Sequence, residues 1–219
     1  MRPLLVVTHP RRIPACVDAF AALTCDVAYI SGEALPGACA QFNEIARSAA
    51  DYTHLMVCAD DCVVTQNAVD AVVALLAAGN PAVTGWCRLD RTHPQANITI
   101  GAIRGDTPVG DAYDWWLAAD VASYPGEVVP TGFMGMALTG MDRSGWLRHP
   151  LGCFTNAEGA GWSSDFHLSA RLRDAGIPMV AARSGYVDHV KERWQMADRD
   201  PAARLLIGEI PMGVIWQCE

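Results

Sequence analysis

Lysine is almost missing from this 219-residue chain: Lys191 stands alone, and the other fifteen of its sixteen Lys and Arg residues are arginines. That imbalance reflects a GC-rich coding sequence rather than any chemistry. With a net charge of −8, the chain also lacks the clustered cations that neutralise phosphates, so a nucleic-acid partner is not expected. No apolar run approaches the roughly 20 residues that cross a bilayer, which argues against a membrane span. The opening stretch Leu4-Leu5-Val6-Val7 is too short for a signal peptide and lacks a small-residue cleavage site. Internal repeats, low-complexity tracts and domain linkers are missing too. Of eight cysteines, only Cys58 and Cys62 are close together, and no second pair completes a zinc site. Buried thiols in a reducing compartment are the expectation.

What is present is an apolar, lightly charged chain, 51% and 18% respectively, which predicts a compact α/β core. Strand and helix alternate through the first part. Leu4 to Val7 reads as a strand, and Ile13, Cys16, Val17 and Phe20 form a helical stripe. Val27 to Ile30 is a second strand, Phe42, Ile45, Ala46 and Ala49 a second stripe, and Val69, Val72, Val73 and Leu76 a third, stopped by Gly79-Asn80-Pro81. Such alternation predicts a mostly parallel sheet covered on both faces. Val83–Trp86, Asn97–Ile100 and a region from Val128 read as further strands. Residues 104 to 126, with Tyr113, Asp114, Trp115 and Trp116, read as an irregular binding loop or lid. A late helix is expected with Ser163 and Ser164 as caps, Leu168, Leu172 and Ala175 as its apolar stripe, and Gly176 as its stop. Asp165 shares the inward face of that helix, and His167 falls on its exposed, polar side. Strands over 177–182 and 185–190 follow.

Adjacent aspartates end one apolar run, Tyr52-Thr53-His54-Leu55-Met56-Val57-Cys58-Ala59-Asp60-Asp61. They fall where a buried strand leaves the sheet, and ligand sites of open α/β sheets lie beyond those carboxyl ends. Carboxylates left there cost desolvation energy unless something positive meets them. A hard divalent cation would serve, and so would the start of the helix led by Val64-Thr65-Gln66-Asn67. A regular strand points neighbouring side chains to opposite faces, so one acid at most is a direct ligand unless the chain turns there.

Three stretches, in this order, resemble the GT-A fold glycosyltransferases of the inverting, family-2-like kind: Gln41-Phe42-Asn43-Glu44, Leu55 to Asp61, and Ser164-Asp165-Phe166-His167-Leu168 followed by Val187-Asp188-His189. The resemblance runs from about Leu4 to about Lys191. It implies one GT-A domain over 1–219, with a Rossmann-like nucleotide-sugar half over about 1–100 and an acceptor-binding, catalytic half over 101–219. It also implies sugar transfer from a nucleoside-diphosphate sugar, most often a UDP-sugar, to an acceptor hydroxyl, assisted by Mn²⁺ or Mg²⁺.

By position in the resemblance, Asp61 and His189 would hold the metal and Asp165 would be the catalytic base. Asp60 and Asn43 would contact the donor; Lys191, just beyond His189, is a candidate phosphate contact, and Thr8, Arg11, Tyr29 and Ser31 at the strand ends are offered for the donor base and ribose. Arg193 is a further candidate for the diphosphate. Thr131, Gly132 and Phe133 would line the donor-sugar pocket, and Trp115 and Trp116 beside Tyr113 would stack the acceptor. The chain departs from the family pattern twice, with Ala59 for the first acid of Asp-X-Asp and Ser164 for a glutamate before the base.

Two rival readings differ in class. A nucleotidyltransferase would carry a glycine-rich phosphate loop after the first strand, whereas Thr8-His9-Pro10-Arg11-Arg12 has no glycine. A non-catalytic nucleotide-sugar or glycan-binding module would explain the two departures. The composition suits a cytoplasmic enzyme of a high-GC bacterium or its phage, and the apolar tail Leu205-Leu206-Ile207, Ile210 and Ile215-Trp216 would pack on its own core or on a second subunit.

Overall fold

The computed structural model describes residues 2–8, 13–30, 34–89, 94–103, 114–155 and 161–190. In chain order the elements are β1 (Pro3–Thr8), α1 (Pro14–Ala21), β2 (Asp26–Tyr29), α2 (Leu35–Ser48), β3 (His54–Ala59), β4 (Cys62–Val63), α3 (Gln66–Ala77), β5 (Ala82–Trp86), β6 (Gln95–Thr99) and β7 (Trp115–Leu117). They continue as α4 (Ala118–Ala122), β8 (Val128–Thr131), β9 (Thr139–Asp142), α5 (Arg143–Arg148), β10 (Phe154–Thr155), β11 (Gly161–Trp162), α6 (Ser164–Asp174), β12 (Met179–Tyr186) and β13 (Asp188–His189).

A seven-stranded sheet in the order β2-β1-β3-β9-β5-β12-β8 forms the centre. Only β9 and β8 run against the other five strands, so the sheet is mostly parallel as expected. The apolar run of β3 explains its central place: Leu55, Met56, Val57 and Cys58 are all fully buried. A strand alternates its side chains between faces. Leu55 and Val57 therefore join one core with Phe42 of α2, Trp146 of α5 and Leu168 of α6. Met56 and Cys58 join the other, with Phe20 of α1 and Val69 and Val72 of α3. Trp146 is fully buried and donates its indole N–H to the Leu55 carbonyl at 2.8 Å, with its ring edge-on to Phe42 at 4.7 Å.

Three features differ from the sequence reading. The described part of the expected irregular loop holds β7 and α4, because Trp115 to Leu117 finds β6 as an antiparallel partner. The first late strand and the start of the second merge into one long β12, with a register irregularity between Ala181 and Tyr186, while Asp188–His189 leaves the sheet as β13. β9, Thr139-Gly140-Met141-Asp142, carries no strong periodicity and forms because Gly140 lets it slide between β3 and β5, and the short α5 after it is capped by Asp142. A Cβ at Gly140 would come within 3.0 Å of both Leu76 and Met56.

Candidate active site

β3 ends at Ala59, and the two aspartates occupy a tight turn before β4. The turn separates them: Asp60 is 3% exposed, while Asp61 opens into a cavity beyond the sheet. The helix-cap alternative fails, because α3 is capped by Thr65, whose hydroxyl accepts from Ala68 N at 3.2 Å. β4 pairs antiparallel with β13, setting His189 opposite Cys62, and Val190 N donates to the Asp61 carbonyl at 2.7 Å. This ladder brings His189 Nε2 to 3.3 Å from Asp61 Oδ2. The other ring nitrogen, Nδ1, is buried with no hydrogen-bond partner among the described residues.

Asp165 reaches the same cavity from the first turn of α6. Ser163, before the helix, adopts a left-handed backbone (φ 53°) and makes no side-chain cap bond. Instead, the Ser163 hydroxyl and the Phe166 N–H both donate to Asp165 Oδ1, each at 2.9 Å. The carboxylate is surrounded by protein apart from its opening to the cavity. Burial pushes its pKa up, partly offset by those hydrogen bonds. The helix is tied in place by Ser169, whose hydroxyl donates to the Asp165 carbonyl at 2.8 Å and accepts from Met134 N at 3.0 Å.

The cavity, of about 240 Å³, lies past the carboxyl ends of β3 and β5. Cys62, Arg88, Asn97 and Gly135 line it beside Asp61, Asp165 and His189. Its wall is close-packed: a Cβ on Gly135 would lie 2.1 Å from Asn97 Nδ2, and Asn97 is itself held by Cys87 N–H at 2.7 Å. Contact with Cys58, together with burial, keeps the Cys62 thiol pKa well above the ordinary range. A larger hollow of about 490 Å³ beside Trp86, Arg183 and Tyr186 has no carboxylate or imidazole in its lining, so the chemistry gathers in the smaller one.

No family model matches the chain, and no curated protein matches it. Solved structures do. A crystal structure of A197 from STIV superposes with a TM-score of 0.54 at 16% identity, over 84% of this chain and 83% of that one. A crystal structure of GalNAc-T7 with UDP, GalNAc and Mn²⁺ superposes with a TM-score of 0.53 at 12% identity, over 86% of this chain and 44% of that one. The fold is GT-A-like. At such identities the likeness extends to architecture alone, and this chain spans less than half of the glycosyltransferase's length.

Within this GT-A-like frame the expected site residues part company. Asp61, His189 and Asp165 share one cavity. Thr8, at the end of β1, donates its hydroxyl to the Cys58 carbonyl at 3.3 Å, and Tyr29 is 50% exposed at the end of edge strand β2. Asn43 clamps the chain at Leu151, donating to its carbonyl at 2.8 Å and accepting from its N–H at 2.9 Å. Gly132 is forced by packing, since a Cβ there would lie 2.1 Å from the Gly101 carbonyl oxygen. The Thr131 hydroxyl accepts from Thr99 N at 3.1 Å and donates to the Phe133 carbonyl at 2.8 Å. Trp115 stands edge-on to Phe133 and Phe166 (centroids 5.5 and 6.5 Å), whereas Trp116 packs on Tyr124 and bonds the Pro130 carbonyl. His167, expected to be exposed, is half-buried, edge-on to Phe154 and so close to Gly152 that a Cβ there would meet its ring at 2.6 Å. Arg11, Ser31, Lys191, Tyr113, Arg193 and the apolar tail lie outside the described residues.

Sequence reasoning missed Cys62, Arg88 and Asn97. Adjacency to Asp61 was the one signal for Cys62, and Arg88 and Asn97 belong to no motif. Asp61, Cys62 and His189 bring one ligand atom each to within 4.8 Å of one another, a grouping suited to a divalent cation. No described helix is long and apolar enough to cross a membrane.

Proposed function

We propose that the chain transfers a sugar from a nucleoside-diphosphate sugar, with UDP-sugars as the expected donors, to an acceptor hydroxyl with inversion. The observation that carries this reading is the meeting of Asp61, His189 and Asp165 in one cavity at the carboxyl ends of the parallel strands. Asp165 is the base. Its Oδ1 accepts from Ser163 and Phe166, which fixes the carboxylate and leaves Oδ2 to take the acceptor proton. The acceptor oxygen bonds to the anomeric carbon as the bond to the diphosphate oxygen breaks, and the diphosphate departs with that electron pair. A divalent cation held by Asp61 and His189 would neutralise the charge gathering on the leaving diphosphate. A half-buried carboxylate whose pKa is raised by desolvation suits proton abstraction.

Phe166, which follows Asp165 in the chain, packs with Trp115 over the buried Phe133, and the half-buried rings of Trp115 and Phe166 suit an apolar platform for a sugar or aromatic acceptor. Thr131 and Gly132 would then shape the donor-sugar side indirectly, through the close-packed backbone they support. Thr8 and Tyr29, with Arg11, Ser31 and Lys191, are assigned to the donor nucleotide; Asp60, buried in the turn, would act on the donor only by holding Asp61 toward the cavity, and Asn43 positions the segment at Leu151. In this reading residues 1–219 act as one unit, because β9 and β12 from the acceptor half complete the sheet of the nucleotide half. The cysteines of the described residues form no disulfide, which suits the cytoplasm.

Incubation with a panel of nucleotide-sugars tests the proposal through its products. Release of nucleoside diphosphate, dependent on Asp165, supports transfer. Pyrophosphate release would identify a nucleotidyltransferase, and binding without turnover across varied acceptors would leave a binding module.

A further inference from the structure

The cation expected from the resemblance is Mg²⁺ or Mn²⁺, and such hard ions prefer oxygen-rich shells. The residues present offer one carboxylate, one imidazole and one thiol. His189 and Cys62 face each other across the β4–β13 ladder, and directly opposed residues project to the same side of a sheet. Asp61, in the preceding turn, meets both: Cys62 Sγ lies 3.8 Å from its Oδ1, and His189 Nε2 lies 3.3 Å from its Oδ2. These distances reach different carboxylate oxygens, but one ligand atom from each residue lies within 4.8 Å of the other two, near the edges of about 3.3–3.6 Å that a tetrahedral Zn²⁺ sets at ordinary bond lengths. An octahedral Mg²⁺ sets oxygen edges of about 2.9 Å and gains nothing from a thiol.

We infer that Cys62 is a third metal ligand with Asp61 and His189, and that the site takes a borderline, thiophilic divalent cation such as Zn²⁺ or Co²⁺ in preference to Mg²⁺. This deepens the transferase reading and rests on it for the purpose of the cation, though not for the ligand set. On ligation the Cys62 thiol proton passes to solvent. Three protein ligands leave a coordination position free, the pattern of catalytic rather than structural zinc sites. The neighbouring Cys58 is differently employed, donating to the Ala137 carbonyl at 2.7 Å.

Titration of the chelator-stripped, full-length protein with Co²⁺ alone tests this. A thiolate-to-cobalt charge-transfer band with the intense visible bands of a four-coordinate ion is expected, displaced by Zn²⁺ and unaffected by excess Mg²⁺. The band should vanish in Cys62→Ser and persist in Cys25→Ser, a remote cysteine. No Co²⁺ binding, weak visible bands without charge transfer, or a band that survives Cys62→Ser would each overturn the inference. The wild-type spectrum decides the presence of sulfur even if a variant folds poorly. Nucleotide-sugar turnover is measured in parallel to separate the two proposals. A Cys62-dependent band without turnover keeps the metal site and rejects the transferase, whereas Mg²⁺-supported turnover without the band does the reverse.

Discussion

The imidazole of His189 and the carboxylate of Asp61 lie 3.3 Å apart, although they come from opposite halves of the chain. The contact depends on a two-residue ladder between β4 and β13, and it puts the acid in the turn after β3 beside a residue of the strand that follows β12. Replacing Asp61 by Asn keeps the side-chain shape and removes the charge. Wild type, saturated with cation and with nucleotide at a hundredfold excess over its Kd, should gain about 2.7 kcal/mol from the nucleotide. For a chain of this size that is a rise in Tm of roughly 5–10 °C. In Asp61→Asn the cation-dependent part of this rise should disappear, as read by thermal shift.

Asp165 separates activity from stability. Asp165→Asn should lower kcat by about 10²–10⁴-fold while the donor-induced thermal shift is retained. The folded-state pKa of Asp165 is raised by burial, so its ionisation opposes folding at neutral pH, and the stability it contributes is present below the unfolded pKa and lost as pH rises through the folded one. Asn can still accept from Ser163 and Phe166, so the variant should melt higher than wild type at pH 7 and lose that advantage at acid pH. A lower Tm at pH 7 would contradict this account.

The same carboxylate sets the pH profile of the reaction. Because the base must be ionised, kcat/KM should fall as pH drops through the raised pKa of Asp165, with its acid limb above the ordinary carboxylate range. An acid limb at an ordinary aspartate value would point to a different base.

Two glycines should respond in opposite ways to alanine. Gly132→Ala drives a Cβ to within 2.1 Å of the Gly101 carbonyl oxygen, and backbone cannot swing aside as a side chain does. A loss of about 1–3 kcal/mol is expected in urea unfolding. A Cβ on Gly37, in the first turn of α2, would meet nothing within 4 Å, and its alanine variant should be unchanged or more stable by up to about 1 kcal/mol.

Trp146 and Trp115 test core against platform. Trp146→Ala removes a fully buried ring and its bond to Leu55, with an expected loss of about 3–5 kcal/mol. Trp115→Ala trims a half-buried ring beside Phe166 and should raise acceptor KM while leaving the donor-induced thermal shift unchanged. Steady-state kinetics with varied acceptor distinguishes the two.

Much of this protein was legible from local pattern. The apolar run of β3 dictated a buried central strand, the periodic stripes of α1, α2 and α3 dictated the helices that cover it, and Asp165 stood out as an acid on the inward face of α6. These follow from near neighbours, because side-chain alternation and helical periodicity are properties of short segments. Tertiary structure decided the rest. The turn after Ala59 buries Asp60 and opens Asp61 to the cavity, a choice two adjacent identical residues cannot reveal in sequence. β9 enters between β3 and β5 because Gly140 admits it, and Cys62 meets His189 through the register of two short strands far apart in the chain. Such pairings are set by long-range packing and strand register, which no short window of residues encodes.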